Sequence, residues 1–375
     1  MGTRKKILFI AHWYPNSTDT HKGIFIRNHA LSLNAVSDLT VLDFSISYSS
    51  DFYSKKIFRE KDHQGLDVLH IHVRSKFYKL LYYWIFFQTC ILKKAFKQEK
   101  ILLQQYDFIQ TNVLFPSGIV GYRLARKFKK PLIHIEHWSY LSTFLKSDFH
   151  RKEGAKVLNY ATKVAVVSEV LKESMLDFCE SSKIEIIPNV VDSHFEYLPK
   201  TTNPDLKVFL AVANWRKPKN PFVFIEALEE LSISGTFPKF KLILIGEGEQ
   251  LIELKKRNLS FTIDFIGKVE NSDLTSYYQQ ADFFLHGSDY ETFSIVSIEA
   301  LLTGTPVIAS RVGVLPEVIN DSNGVLCQNE SASWVNGIRK AIESNYDNQL
   351  IANGIKNKFT VESVSRDFAK LLNDL

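Results

Sequence analysis

The sequence predicts an α/β protein with two domains, each built on a doubly wound and mainly parallel β-sheet. Short apolar runs alternate with helix-length segments along the whole chain, a pattern typical of right-handed β-α-β units. This alternation restarts after a linker near the middle of the chain. A length of 375 residues is too great for one ordinary hydrophobic core and comfortable for two.

The first half contains candidate strands that are rich in Val, Ile and Phe. Several are apolar on both faces, as expected for strands of a parallel sheet that is covered by helices. The first apolar run stops at His12, so it is too short for the core of a signal peptide, and no run of 18 apolar residues predicts a membrane span. The predicted strands are residues 7–11, 39–44, 68–73, 108–111, 132–135, 164–167 and 184–187.

A linker is predicted at residues 193–206, where Pro199, Pro204 and a cluster of Thr and Asn interrupt the pattern. A second set of strands and helices follows, and the last stretch, residues 359–375, has a helical pattern. The predicted strands of this half are residues 208–213, 242–245, 263–266, 283–286 and 306–309, and two of its predicted helices are residues 221–231 and 294–302.

The net charge of +5 is unevenly distributed between the two halves. Residues 1–195 carry 28 Lys and Arg against 18 Asp and Glu, whereas residues 196–375 carry 18 against 23. A basic half can meet nucleic acid, anionic lipid or phosphorylated substrates. The three cysteines, Cys90, Cys179 and Cys327, contain no C-x-x-C pair and indicate a reduced cytoplasmic protein without disulfides or a cysteine zinc site.

The strongest local signal is the segment GSDYETFSIVSIEA at residues 287–300, which follows an apolar strand and opens a helix. Unpaired backbone N–H groups at such a junction suit a phosphate. Glu291 and Glu299 flank it and can each accept hydrogen bonds from hydroxyls, so the residues predict a diphosphate with a sugar at each end. The alternative is an ordinary helix whose dipole is stabilised by Glu291.

These residues resemble the E-x7-E motif of the family-4 retaining glycosyltransferases, which have the GT-B fold of two Rossmann-like domains. Other segments agree with this family in order along the chain. They are GIFIRNH at residues 23–29, VVSE at 166–169, IPNVVD at 187–192, ADFFL at 281–285, EAL to GTPVIA at 299–309, and GVLPE at 313–317. The matches cover the C-terminal half almost completely and the N-terminal half more loosely.

The resemblance implies a role for each matching residue of the donor site. Glu291 resembles the residue that holds hydroxyls of the donor sugar, and Glu299 the residue that binds the ribose. Backbone N–H groups of Phe293, Ser294 and Ile295 would meet the diphosphate and sugar. Lys219 matches the family's diphosphate-binding lysine. Asn214 stands where the family usually has an arginine, and Arg216 of the same loop is expected to replace it; both basic residues could otherwise belong to a solvated loop.

Further site residues follow from the same resemblance. His137 resembles the family's histidine near the donor sugar, although a lone histidine is often structural. Gly23 resembles the glycine of the first loop, where a side chain would collide with the diphosphate. Lys268 and Val269 lie where the nucleotide base packs against the main chain.

The implied protein is a nucleotide-sugar-dependent hexosyltransferase with two domains facing across a cleft. The acceptor-side domain is residues 1–195, with residues 359–375 as a helix that crosses back to it, and the donor domain is residues 206–358. The donor would be a UDP- or GDP-sugar, and the acceptor a glycan or lipid-linked glycan of surface polysaccharide biosynthesis. Catalysis would be electrostatic, with retention of configuration. The absence of any D-x-D pair predicts that neither metal nor cofactor is needed.

Three other function classes are weighed against this one. A nicotinamide oxidoreductase would need a third glycine after Gly246 and Gly248, and the acidic loop there would repel a pyrophosphate. A glycoside hydrolase could use Glu291 and Glu299 as acid and base, but the order of strands and helices disfavours it. A non-catalytic nucleotide-sugar-binding protein remains the alternative function.

Residues 74–100 carry seven Lys or Arg and one Glu around the apolar run LLYYWIFF. This pattern suits a helix lying on an anionic membrane surface, on the inner face of the cell membrane. The alternative is a helix of the domain itself that has a few surface lysines. No recognisable module favours nucleic-acid binding.

Overall fold

The computed structural model describes residues 4–15, 22–62, 64–138, 141, 145–200, 203 and 205–375. The chain divides into two compact units, one of Met1–Val190 with Val361–Leu375, the other of Val191–Thr360. Each contains its own β-sheet and its own hydrophobic core.

The boundary between the units falls a few residues before the predicted linker. Val191 donates its N–H to the carbonyl of Phe359 at 2.9 Å, and the Asn271 side chain donates to Asp192 at 2.8 Å. These bonds tie residues 191–192 and 359 to the second unit, whereas the sequence assigned them to the first. In the linker itself, Thr201, Thr202 and Pro204 lie outside the described residues.

The sheet of the first unit has the strand order β3-β4-β2-β1-β5-β6-β7-β8. All described neighbours are parallel except β3, which runs antiparallel to β4 along the edge. Strands β2, β4 and β3 lie on one side of β1, and β5 to β8 lie on the other side, so the strand order reverses between β1 and β5. The strands are β1 Lys6–Ala11, β2 Asp38–Ser47, β3 Ser54–Lys61, β4 Asp67–Arg74, β5 Phe108–Asn112, β6 Leu132–Glu136, β7 Lys163–Val166 and β8 Ile184–Ile186.

The C-terminal helix packs on the first helix of this unit, so its predicted return to the N-terminal domain is confirmed. Val364 and Phe368 lie fully buried in one core with Ile26, Ala30 and Leu33. The helices of this unit are α1 Ile24–Val36, α2 Tyr78–Tyr83, α3 Ile85–Gln98, α4 Ile119–Phe128, α5 Asp148–Tyr160 and α6 Glu169–Met175, with the C-terminal helix at Val361–Asn373.

The sheet of the second unit is parallel throughout, in the order β11-β10-β9-β12-β13-β14. Its order reverses between β9 and β12, and such a switch point leaves a crevice at the carboxyl ends of the two strands. The strands are β9 Lys207–Val212, β10 Phe240–Ile245, β11 Thr262–Gly267, β12 Phe283–His286, β13 Val307–Ser310 and β14 Gly324–Cys327. The helices are α7 Phe222–Ile233, α8 Glu249–Leu254, α9 Asn271–Gln280, α10 Ile295–Leu302, α11 Leu315–Val318, α12 Ser331–Glu343 and α13 Asn348–Lys356, and the C-terminal helix is therefore α14.

The predicted α/β class with two doubly wound domains is confirmed. Two strands were not predicted. The edge strand β3 is largely exposed and reads SKKIFREK, so it has no apolar run, and β14 contains only four residues. Across the described ranges, no helix combines the length and apolarity that crossing a bilayer would require.

Candidate functional site

Two loops meet at the switch point of the second unit. The first follows β9 and leads to α7, and the second follows β12 and leads to α10. Asn220 donates its N–H to Gly287 at 2.9 Å, and Asp289 donates to the carbonyl of Pro218 at 2.8 Å. Residues about seventy positions apart in the sequence are thus joined along their backbones, which brings Lys219 beside the E-x7-E segment.

Glu291 is a buried carboxylate held by two partners. The Lys219 ammonium donates to its Oε1, and His286 Nε2 lies 2.8 Å from the same oxygen. Burial opposes ionisation of Glu291, but Lys219 and then His286 outweigh that effect and lower its pKa. The carboxyl group is therefore charged at neutral pH, and the structure brings together two residues that the sequence assigned to one site.

His286 is a member of this cluster that sequence reasoning did not assign to the site. It is the last residue of β12 and is almost fully buried. Burial, and then Lys219, lower its pKa, so the neutral ring donates through Nε2 to Glu291. The available signal was a polar residue that ends an apolar strand immediately before the E-x7-E loop.

The start of α10 lies next to this carboxylate. Ser294 precedes the helix in a left-handed conformation with φ of 60°, and its hydroxyl lies 3.2 Å from His286 Nε2. The first N–H groups of a helix have no acceptor within the helix, which leaves those of Ile295 and its neighbours for a ligand. The Phe293 side chain is buried and packs against Phe359.

Gly313 fixes the backbone of Glu291 from the other side. It has a φ of 53°, and a Cβ atom there would lie 1.7 Å from the Glu291 carbonyl oxygen. Only glycine therefore permits the approach of this loop, which accounts for the first residue of the GVLPE segment.

Glu299 lies on α10 and is 5% exposed. The Tyr278 hydroxyl donates to its Oε2 at 2.8 Å. Burial, reinforced by the charge of Asp192, raises the pKa of Glu299 to about 8. Two glutamates on one loop and helix thus differ in charge state near neutral pH, because Glu291 has a cationic neighbour and no described residue provides one for Glu299.

The loop that carries Lys219 is held by hydrogen bonds to β10 and α8. Trp215 is buried and donates its indole N–H to Ile245 at 2.9 Å, and Gln250 donates to the Lys219 carbonyl at 2.5 Å. Asn214 and Arg216 are both exposed. In the described part of the chain the Arg216 side chain has no ion pair, so it is free to turn toward an anion.

Lys268 and Val269 follow β11, at the same carboxyl edge of the sheet as Lys219 but two strands away. Beside them lies a cavity of about 200 Å³ that is lined by residues including Gly246, Phe265 and Gly267.

The remaining predicted site residues, Gly23 and His137, belong to the first unit. Gly23 has a φ of 66°, and a Cβ atom there would lie 2.3 Å from the Trp13 carbonyl oxygen, so the fold of its own loop already requires glycine. His137 is buried, and its ring nitrogens lie 2.9 Å from Asn189 Oδ1 and 3.3 Å from Asn112 Oδ1. Burial, and then His29, hold its pKa well below the usual range, so His137 is a neutral hydrogen-bonding group.

Comparison with known proteins extends these observations. A family model described as Glycosyltransferase Family 4 matches residues 48–195, and one described as Glycosyl transferases group 1 matches residues 195–357. The second match contains the whole of the Lys219–Glu291 site.

Two characterised relatives illustrate the similarity. The α-monoglucosyldiacylglycerol synthase of Streptococcus pneumoniae is 26% identical over 61% of this chain and 57% of its own length, so the match spans less than two thirds of that relative. The UDP-Gal:α-D-GlcNAc-diphosphoundecaprenol α-1,3-galactosyltransferase of Escherichia coli is 26% identical over 71% of this chain and 73% of its own.

The fold is shared with solved structures. Sucrose-phosphate synthase from Thermosynechococcus elongatus superposes with a TM-score of 0.75 over 99% of both chains, at 19% identity, which speaks to the fold alone. Because the two family models together match residues 48–357, the chain belongs to the family-4 glycosyltransferases of GT-B fold.

Proposed function

We propose that the protein transfers a hexose from a UDP- or GDP-sugar to a glycan or lipid-linked acceptor. The observation that carries this proposal is the buried, ionised Glu291 held by Lys219 and His286 beside the start of α10. A carboxylate held charged can accept bonds from sugar hydroxyls, while the lysine and the helix N–H groups suit a diphosphate. The name of the E. coli relative specifies a UDP-linked donor for that enzyme, which supports the same donor class here.

In the proposed complex, Lys219 and Glu291 contact different parts of the donor. Lys219 and Arg216 face the diphosphate together with the N–H groups of residues 293–295, and Glu291 accepts hydroxyls of the donor sugar. Glu299 binds the ribose, and the base packs at Lys268 and Val269, beside the cavity lined by Phe265. For Gly23 and His137 of the first unit, the proposal keeps the roles that the resemblance implies, toward the diphosphate and the sugar respectively.

The chemistry that follows is mainly electrostatic. Negative charge develops on the diphosphate as its bond to the anomeric carbon breaks, and fixed cations and N–H groups stabilise that charge. The acceptor attacks from the same face, the departing phosphate oxygen takes the acceptor's proton, and the anomeric configuration is retained. The site offers cations and helix N–H groups for the diphosphate, so we propose that no divalent metal is needed there.

The acceptor is proposed to lie at a membrane, in surface polysaccharide biosynthesis on the cytoplasmic side. The names of the two relatives specify a diacylglycerol lipid and a diphosphoundecaprenol acceptor. In this chain the first unit exposes several large apolar side chains, most of them aromatic, at Tyr48, Phe52, Phe77, Leu80, Tyr83, Trp84 and Phe86. Phe52 and Phe77 are in edge contact, and the Lys76 ammonium lies over both rings. Aromatic rings beside cations suit the interface of an anionic bilayer.

The structure changes the description of residues 74–100. They form two helices that meet at Trp84, α2 and α3, where the sequence predicted one interfacial helix. One face of α3, including Ile91, Leu92 and Phe96, is buried in the unit. The segment is therefore a structural part of its domain that also exposes an aromatic and cationic surface, which combines features of both interpretations.

A screen of nucleotide sugars by thermal shift, followed by a transfer assay in excess EDTA, tests the proposal. A true donor should raise the melting temperature by mass action, and transfer of its sugar should continue in EDTA. Binding without transfer to any acceptor would indicate a nucleotide-sugar-binding protein, and transfer that needs added Mg²⁺ or Mn²⁺ would refute the metal-free mechanism.

Arg216→Ala should impair transfer as Lys219→Ala does. If Asn214→Ala impairs transfer and Arg216→Ala does not, the role assigned to Arg216 is wrong.

A further inference from the structure

A separate cluster of metal-ligating side chains lies on the sheet of the first unit. Asp43 on β2 is paired in register with His70 on β4, and His72 lies two residues further along β4, on the same face as His70. His70 Nδ1 is 2.9 Å and His72 Nε2 is 2.8 Å from Asp43 Oδ2. The ligand atoms of all three lie within 4.8 Å of one another. Asp43 and His70 are buried, and His72 is partly exposed, which leaves a side from which an ion can enter.

The second nitrogen of His70 has the partner that a metal ligand needs. His70 Nε2 lies 3.2 Å from Glu60 Oε1, a carboxylate on β3. A histidine that binds a metal through one nitrogen usually donates its other N–H to a carboxylate or carbonyl, which fixes the ring and its tautomer. Phe58 stacks on the His70 ring with centroids 4.6 Å apart and so holds the ring plane.

Asp43 also has one carboxylate oxygen that could accept a further bond. Its Oδ1 is buried and has no hydrogen-bond partner among the described residues. A buried carboxylate oxygen without a partner is costly, and a cation at the cluster would relieve that cost. The simple alternative, in which two imidazole N–H groups donate to Oδ2, leaves this oxygen unexplained.

We propose that Asp43, His70 and His72 bind one divalent transition metal, with Glu60 as the residue that orients His70. Two imidazoles and a carboxylate form a ligand set that suits Zn²⁺ and similar ions. On binding, the proton of His70 sits on Nε2 facing Glu60, and Nδ1 presents its lone pair to the metal. The ion would link β2 and β4, and Glu60 connects β3 to it through His70. The site lies outside the donor-binding loops, so the proposal is independent of the proposed transfer reaction.

Calorimetric titration of ZnCl₂ into tag-free protein that has been treated with EDTA and dialysed tests this site. The expected result is one Zn²⁺ per chain, with a melting temperature that rises with Zn²⁺ and returns on chelation. His72→Gln should abolish the binding, whereas His194→Gln, the same change at a histidine of the second unit, should leave it intact. X-ray absorption of the bound ion should show two imidazole ligands.

The variant Glu60→Gln distinguishes a metal site from a network of hydrogen bonds alone. Glu60 is exposed, so its replacement should not prevent folding. The variant should weaken Zn²⁺ binding by about 10- to 100-fold, the usual effect of removing the carboxylate behind a histidine ligand. Zn²⁺ binding equal in the wild type, His72→Gln and Glu60→Gln, or absent in all three, would overturn the proposal.

Discussion

Glu291 is a buried carboxylate that is held charged mainly by Lys219, with His286 as its second partner, so Lys219 and Glu291 cannot be changed independently. Lys219→Ala should lower transfer about tenfold to a hundredfold, since a hydrogen bond to a charged group contributes about 1.5–3 kcal/mol. It should also destabilise the fold, because removal of one partner leaves a charge buried with only His286 beside it. Both effects are measurable, as kcat/KM and as the free energy of unfolding in urea.

The double variant Lys219→Met with Glu291→Gln is the matched control for that prediction. It removes both charges at nearly the same volume, so most of the lost stability should return while transfer stays low. Recovery of transfer together with stability would show that the pair serves the fold and not the reaction.

Glu299 gives the stability of the second unit a dependence on pH. Its pKa is about 8 in the folded chain against an ordinary value of 4.5, so between these values the folded state binds more protons than the unfolded state. Glu299 therefore contributes a loss of stability as pH rises from about 4.5 to 8.

Glu299→Gln should remove that loss, since the amide oxygen still accepts from Tyr278 and carries no charge. Unfolding in urea at pH 5, 7 and 9 should show the variant gaining on the wild type as pH rises, while its affinity for the donor falls. Glu362→Gln, at an exposed position of α14, should change neither quantity. An unchanged donor affinity in Glu299→Gln would contradict the ribose-binding role.

The motifs indicated candidate site residues from their positions along the chain, and they gave no sign of partners that only folding brings in. Glu291, Glu299 and Lys219 follow from motif positions, and the structure places Lys219 and Glu291 in contact. Tyr278, on the preceding helix α9, had no motif to indicate that its hydroxyl reaches Glu299. A partner of that kind depends on how a helix rotates and packs, which spacing along the chain does not determine.

At the scale of secondary-structure elements, apolar runs predicted most of the strands and missed β3 and β14. The strands β9, β10, β12 and β13 were each found within a few residues, because they are largely buried and mostly apolar in sequence. β3 lies at an edge, carries Lys55, Lys56 and Arg59 among its exposed residues, and pairs with β4. Its existence depends on a partner strand and not on its own sequence, so hydrophobic periodicity could not indicate it.

The exposed face of α3 contains lysines that should bind an anionic membrane. Lys93 and Lys97 fall 7 and 11 residues after Phe86, so the three share one solvent-facing stripe, and Lys94 is also exposed. Each lysine near an anionic surface contributes about 1 kcal/mol to binding. Replacing Lys93, Lys94 and Lys97 by Glu should therefore abolish sedimentation with vesicles of phosphatidylglycerol, and salt should release the wild type because charges are screened beyond about 8–10 Å.

Transfer to a soluble acceptor should continue in that triple variant. Lys239, Lys256 and Lys358, which are exposed on the second unit, provide a control with the same change of charge. If the control triple also loses vesicle binding, the attraction is one of net charge alone. If neither triple loses it, residues 74–100 are a structural part of the domain and no more.

At the scale of the whole molecule, the chain leaves the first unit after Val190 and returns to it at Val361. Phe368 of α14 is fully buried in the core of the first unit and is in edge contact with His29 of α1, at 5.5 Å between ring centroids. The most distant parts of the sequence thus complete one core. The resemblance to GT-B enzymes predicted this return, whereas composition and periodicity indicated only that the last segment is a helix.

Phe368→Ala should therefore lower the stability of the first unit and leave that of the second unit mostly unchanged. Loss of a buried phenylalanine costs about 3–5 kcal/mol. Because that cost falls on the unit whose core loses the ring, hydrogen exchange should become faster in α1 and β1 and stay unchanged in α7 and β10. Phe224→Ala, which removes an equally buried ring from the core of the second unit, should give the opposite pattern. If both variants accelerate exchange equally in the two units, the chain unfolds as one cooperative body and the division at Val190 describes packing but not stability.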